Sequence, residues 1–139
     1  MRIFDMNKIT LIFVIIYTTF ASDTYASCVQ ANMAGLWQDF ALAYEAGTVA
    51  KCTFHLDKNG NVLSDSVCYN YSGTSDYPPI NVLSGSFKIS KVCAVTATLG
   101  ADNGITAFFK GQMHISKNAL NGISRNSSGN IALHNFVRQ

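Results

Sequence analysis

The segment Cys52-Thr53-Phe54-His55-Leu56-Asp57-Lys58-Asn59-Gly60-Asn61-Val62-Leu63-Ser64-Asp65-Ser66-Val67-Cys68 decides the fold. Asn59-Gly60 at its centre is a strong hairpin signal, because both residues accept positive φ. The runs on either side, 48–56 and 62–71, are rich in β-branched and aromatic residues and read as strands. A three-residue loop over Asn59-Gly60-Asn61 sets the register, and a slip of one would turn every side chain to the other face. In this register Cys52 stands opposite Cys68, within bridging reach across neighbouring strands. His55 stands opposite Asp65 on the surface side, a solvated cross-strand pair that in principle also suits acid–base work.

The remaining cysteines are Cys28 and Cys93. An even set in an oxidising compartment forms two disulfides, and pairing Cys52 with Cys68 leaves Cys28 for Cys93. Other pairings, or four free thiols, stay open at this point. Closing the ~15-residue loop between Cys52 and Cys68 is worth about 3 kcal/mol in the chain-entropy view.

Outward from this hairpin the pattern stays β. Short segments at 82–92, 93–99, 105–116, 120–126 and 131–138 are split by turn residues, among them Asn103-Gly104, Lys117-Asn118 and Ser128-Gly129. Before the hairpin, 29–44 reads either as a helix or as a first strand beginning at Gly35-Leu36-Trp37. A turn at Lys117-Asn118 places Ile115 opposite Leu120 and Met113 opposite Gly122. A turn at Ser128-Gly129 places Leu120 opposite Val137 and Ser124 opposite Leu133. One face then stays apolar through three strands: Ile105, Ala107, Phe109, Gly111, Met113 and Ile115, then Leu120, Gly122 and Ser124, then Leu133 and Val137. The expectation is an all-β domain, an antiparallel up-and-down barrel of roughly eight strands behind a short N-terminal segment, which closes and so leaves no sheet edge. A two-sheet sandwich is the alternative.

The first 26 residues read as a cleaved signal peptide. Arg2 and Lys8 precede an apolar run of signal-peptide length, too short to span a bilayer, and Thr24 and Ala26 suit a cleavage site. An uncleaved anchor and a lipoprotein on Cys28 are the rival readings; the second strands one cysteine. Of 139 residues, 113 then remain, enough for one domain, 27–139. The expected destination is secreted or periplasmic, with no membrane attachment after cleavage. Charged residues are only 13 % of the chain and the net charge is +2. The charges are scattered singly, so no basic stripe marks a nucleic-acid surface.

Gly35-Leu36-Trp37 at a first strand, a meander of hairpins and a last strand carrying Arg138 resemble the calycin barrels, the lipocalin and avidin kind. Small bacterial metalloprotease inhibitors are similar. The resemblance implies that Trp37 and Arg138 (or Arg125) pack together to close the barrel floor. The single Trp departs from avidins, so biotin binding is not implied.

The histidines, His55, His114 and His134, are far apart and show no metal-ligand spacing, and no Gly-x-Ser-x-Gly turn is present. No enzyme activity and no cofactor are expected. Two surfaces are candidates for contact. Tyr69, Tyr71 and Tyr77 cluster around a Pro78-Pro79 loop and suit a protein or glycan partner. Inside, Gly85, Gly111, Gly122, Ser124 and Asn135 leave room among Phe87, Phe109, Met113 and Leu133 for a small apolar ligand. The function expected is an exported, non-catalytic binding protein. The alternative is a secreted protease inhibitor that inserts a segment such as 27–33 into an enzyme cleft.

Overall fold

The computed structural model describes residues 27–44, 47–72 and 75–139. The expected signal segment, 1–26, lies outside them. Among the described residues nine strands follow one 3-10 turn at Gln30–Met33: β1 Gly35–Ala43, β2 Thr48–Leu56, β3 Val67–Ser72, β4 Ser75–Asp76, β5 Ile80–Ile89, β6 Ala94–Ala101, β7 Thr106–Met113, β8 Ala119–Asn126 and β9 Ile131–Arg138. Each long strand pairs antiparallel with its neighbour in sequence, β3 passing directly to β5. β1 pairs with β9 and β2 with β3, so the sheet closes into an eight-stranded barrel, with β4 a two-residue extension on β3. Closure excludes the sandwich. The helical reading of 29–44 survives only as the 3-10 turn, since β1 begins at Gly35.

Around the disulfide the first hairpin has the expected register, with Cys52 opposite Cys68 and the two bonded at 2.03 Å. At the turn itself Leu56 pairs with Val62, so the loop takes five residues, 57–61, rather than three. A second turn at 63–66 restores the register, so that β3 begins at Val67 and not at 62. Cys28 is bonded to Cys93, which ties the N-terminal segment to the start of β6. Asp57 shapes the turn: its Oδ1 accepts the amides of Asn59 and Asn61, and its Oδ2 accepts the Asn61 side chain. Those bonds, Asn61's first, hold the Asp57 carboxyl below the usual carboxylate range.

Two other turns correct the expected register. Met113 faces Leu120, not Gly122, because the β7–β8 loop takes four residues, 115–118, with Lys117 at φ 60°. The shift is by two, so the inner face is kept, but Ile115 leaves the strand and is exposed. The β8–β9 loop takes three residues, 127–129, with Gly129 at φ 89°. Asn126 holds it open by accepting the amides of Ser128 and Asn130 on its Oδ1. This shift is by one, and it reverses β9. Leu120 faces Phe136 and Ser124 faces Ala132, while Leu133 and Val137, 58 % and 41 % exposed, point out together with Asn135. The β9 residues turned inward are Ala132, His134, Phe136 and Arg138.

The core fills one end of the barrel. Met33, Trp37, Leu56, Phe87, Val95, Met113 and Leu120 are buried there. Each large apolar side chain removed from water contributes about 1.5–3 kcal/mol before entropy is counted. The N-terminal segment forms a plug beneath this end. The Trp37 indole N–H donates to the Met33 carbonyl at 2.8 Å, and the Arg138 guanidinium lies 4.7 Å from the Trp37 ring centroid while donating to the Asn32 carbonyl. Gln30 clasps the wall, donating to the carbonyls of Asn59 and Phe87 and accepting the Ile89 amide. Gly60 makes the clasp possible, because a Cβ there would lie 2.2 Å from the Phe87 carbonyl oxygen.

Candidate functional site

The other end of the barrel stays open. Alternation along each strand turns Ala41 and Ala43 of β1, Ala50 of β2, Ala101 of β6, Ala107 of β7 and Ala132 of β9 inward. With side chains this small, the upper barrel does not fill, and a cavity of about 220 Å³ remains. Phe54, Phe109 and Phe136 form its floor, with ring centroids 5.3–5.7 Å apart for the pairs that touch. Thr48, Asn70, Asn103 and Asn126 are the polar lining residues contributed by the strand ends and turns at the open end.

Phe109 sets the floor level. Its ring lies over Gly111 and Gly122, where a Cβ would meet ring carbons at 2.5 and 2.3 Å. These glycines therefore seat a ring; the room expected around them is occupied. Gly85 likewise is packed, against the Thr98 carbonyl and Leu99.

One wall of the cavity is polar. Ser124 of β8, His134 of β9 and Asp39 of β1 occupy diagonal positions on three adjacent strands. Ser124 Oγ is 2.7 Å from His134 Nε2, and His134 Nδ1 is 2.7 Å from Asp39 Oδ2. The His134 ring is held by Phe109 edge-on at 5.6 Å and by Phe136 stacked at 5.7 Å. Asp39 is fully buried, and its Oδ1 has no hydrogen-bond partner. Burial pushes the Asp39 carboxyl above its ordinary value; the hydrogen bond and charge of His134 oppose this without reversing it.

The connectivity is that of a serine–histidine–aspartate relay, but the backbone around it is regular. β8, β9 and β1 each have a neighbour on both sides, so their N–H groups are committed to the ladders and do not converge on an oxyanion site at Ser124.

The residues singled out from sequence scatter over the barrel. Phe109 lies in the cavity floor. Met113 is buried at the plugged end. Tyr69 and Tyr71 point outward from β3, and Tyr77 is exposed in the following loop, its phenol oxygen accepting from Ser72. Tyr71 belongs to a row crossing five strands on the outer wall: it faces Val49, which faces Leu42, then Leu133, then Ile123, all exposed. A second, open groove of about 440 Å³ runs beside Lys88, Thr96, Phe108, Lys110 and Arg125 on the outer wall, and its lining shares Phe109 and Ser124 with the cavity. His55 and Asp65 pair at 3.0 Å on the surface, largely solvated, where an ion pair contributes little. The segment 27–33 is docked: Cys28 is buried and bonded, and its amide donates to the Lys91 carbonyl. Among the described residues no cluster of three or more His, Cys, Asp or Glu side chains forms a metal site.

Asp39, Ser124 and His134 are not legible as a site in the sequence. The hairpin arithmetic places Ser124 inside, but its one-residue slip in β9 turns His134 outward and so dissolves the relay.

No protein-family description matches the chain, and no curated protein matches it. Solved structures of small barrels do. A de novo designed fluorescence-activating β barrel superposes with a TM-score of 0.58 at 16 % identity, over 81 % of this chain and 100 % of that one. The redesigned barrel mFAP1, bound to DFHBI, gives 0.60 at 17 % identity over 80 % of this chain and 100 % of that one. EF1p2_mFAP2b, bound to DFHBI, gives 0.62 at 13 % identity over 84 % and 100 %. The chain is thus similar in fold to small closed barrels. Two disulfides with no free cysteine among the described residues fit an oxidising extracellular or periplasmic compartment.

Proposed function

We propose that the protein is an exported, non-catalytic binding protein whose open barrel end takes one small, mostly apolar ligand. The observation that carries this is the 220 Å³ cavity with alanine walls above a phenylalanine floor. It exceeds the ~150 Å³ engineered cavity that holds benzene and lies below the ~300 Å³ at which sites for drug-sized molecules begin. A ligand of one ring with a short substituent matches that size. The designed barrels bound to DFHBI support the reading that a barrel of this shape can hold a small molecule.

The signal reading of 1–26 supports export, with secretion or periplasmic retention as its two destinations. Edman sequencing of the exported chain should begin at Ser27; a chain retaining its first 26 residues refutes cleavage. Ligand capacity is tested by titrating the disulfide-bonded 27–139 protein with ethylbenzene by calorimetry. Binding should be lost in Ala132→Phe, whose ring fills the cavity from β9. Equal heats in both proteins refute binding in the barrel.

A second reading, contact with another protein, is favoured by the outer row from Tyr71 to Ile123, since exposed contiguous apolar surface marks interaction sites. Sedimentation of wild type and Leu133→Lys at equal concentration checks whether that row joins two copies.

A further inference from the structure

Three polar side chains in an otherwise alanine-rich wall ask for a reason. Ala41, Ala50 and Ala132 show that the same wall closes without polar groups at comparable positions. A buried polar group without a partner costs free energy, so a polar wall in an apolar cavity is accounted for when a ligand completes it.

The protons in the relay can be counted. Asp39 and His134 are the ionisable groups among the described residues that line the cavity, which has no Lys, Arg or Glu. A bare Asp39 carboxylate beside a neutral imidazole would bury an uncompensated charge in a fully enclosed position. A protonated Asp39 carboxyl avoids that charge, in the direction in which burial pushes it, and donates to His134 Nδ1 at 2.7 Å. Nδ1 then accepts, and the ring proton of the imidazole sits on Nε2. With the ring proton on Nε2 rather than Nδ1, Nε2–H donates to Ser124 Oγ across 2.7 Å. The Ser124 hydroxyl hydrogen is left to point elsewhere, and Ser124 lines the cavity.

We infer that Ser124, held by His134 and Asp39, is a hydrogen-bond donor for the ligand, and that the ligand is a small apolar molecule carrying one acceptor of the carbonyl type. Ser124 is the contacting residue, and His134 and Asp39 are positioning residues. This rests on the cavity being the binding site.

The test compares acetophenone with ethylbenzene, which share a shape and differ in one carbonyl. Calorimetry is run on the disulfide-bonded 27–139 protein and on Ser124→Ala, a substitution that removes one oxygen and leaves the strand intact. Wild type should bind acetophenone about tenfold more tightly, the value of one good hydrogen bond. Ser124→Ala should bring the two compounds to within about twofold of each other. The carbonyl stretch of bound acetophenone should fall to lower frequency in wild type and not in Ser124→Ala, a signature that a purely structural serine would not move. Equal binding of both compounds by wild type overturns the donor while leaving the cavity reading intact. A preference that persists in Ser124→Ala also overturns it, as does tighter binding of phenol than of acetophenone through Ser124. Failure of every compound to bind overturns the cavity reading itself.

Discussion

Adding one methyl group at Gly122 should destabilise the barrel and deform the cavity floor together. A Cβ built there lies 2.3 and 2.5 Å from two carbons of the Phe109 ring and 2.4 Å from the Lys110 carbonyl oxygen, where ordinary contacts begin at 3.4 Å. The ring borders the cavity and can give way toward it. The carbonyl belongs to the β7 strand that pairs directly with β8, so it cannot retreat without straining that ladder. Overpacking of this kind costs roughly 1–3 kcal/mol, here toward the upper end. Replacing a strand glycine by alanine returns about 0.5–1 kcal/mol. The net loss for Gly122→Ala is about 2 kcal/mol, or roughly 8 °C in Tm for a domain of this size. Thermal and urea unfolding of the disulfide-bonded protein, followed by circular dichroism, would measure it. The double variant Gly122→Ala/Phe109→Leu removes the ring and keeps the carbonyl contact. The methyl should therefore cost about 1 kcal/mol less in the Phe109→Leu background, a coupling readable in a double-mutant cycle. An unchanged Tm, or equal cost in both backgrounds, would refute the seating of Phe109 on Gly122.

Other expected outcomes follow from the same contacts. Asp39 is raised in the folded state, so between the ordinary value of 3.8 and its folded value the native protein holds the extra proton; stability falls as pH rises through that window. Asp39→Asn should flatten this part of the urea-midpoint profile, and an unchanged slope would show that Asp39 titrates normally. Removing Cys28–Cys93 by a double serine substitution should cost about 4 kcal/mol against about 3 for Cys52–Cys68, because it spans 65 residues rather than 16; the reverse order of urea midpoints would count against the entropic account. Trp37→Phe should lose about 1–3 kcal/mol through the stranded Met33 carbonyl, and a Tm equal to wild type would show that the plug does not need that bond.

The legible parts of the fold share a local cause. Asn59-Gly60 is a strong turn signal, and the placement of Cys52 and Cys68 checks the register independently, so β2 and β3 can be aligned from sequence. The β8–β9 turn has no such check. Ser127-Ser128-Gly129 accommodates a two- or a three-residue loop, and the choice depends on Asn126 accepting two amides at once, which no pattern of apolar residues reveals. Both faces of β9 carry apolar residues, Leu133 and Val137 on one and Ala132 and Phe136 on the other, so alternation does not arbitrate. The relay joins positions 39, 124 and 134, three strands that become neighbours only on closure. Reading it requires the closing β1–β9 pair and the β9 register to be right simultaneously.

The plug under the barrel has a geometric consequence. The described chain begins at the plugged end, where Cys28 is buried, and it also finishes there, with the Gln139 amide donating to the Leu36 carbonyl. Both ends of the described polypeptide thus lie one barrel length away from the mouth. Fluorophores, affinity handles or immobilising linkers attached at either end would orient the molecule mouth outward, so the proposed ligand binding can be followed on a surface with the open end unobstructed.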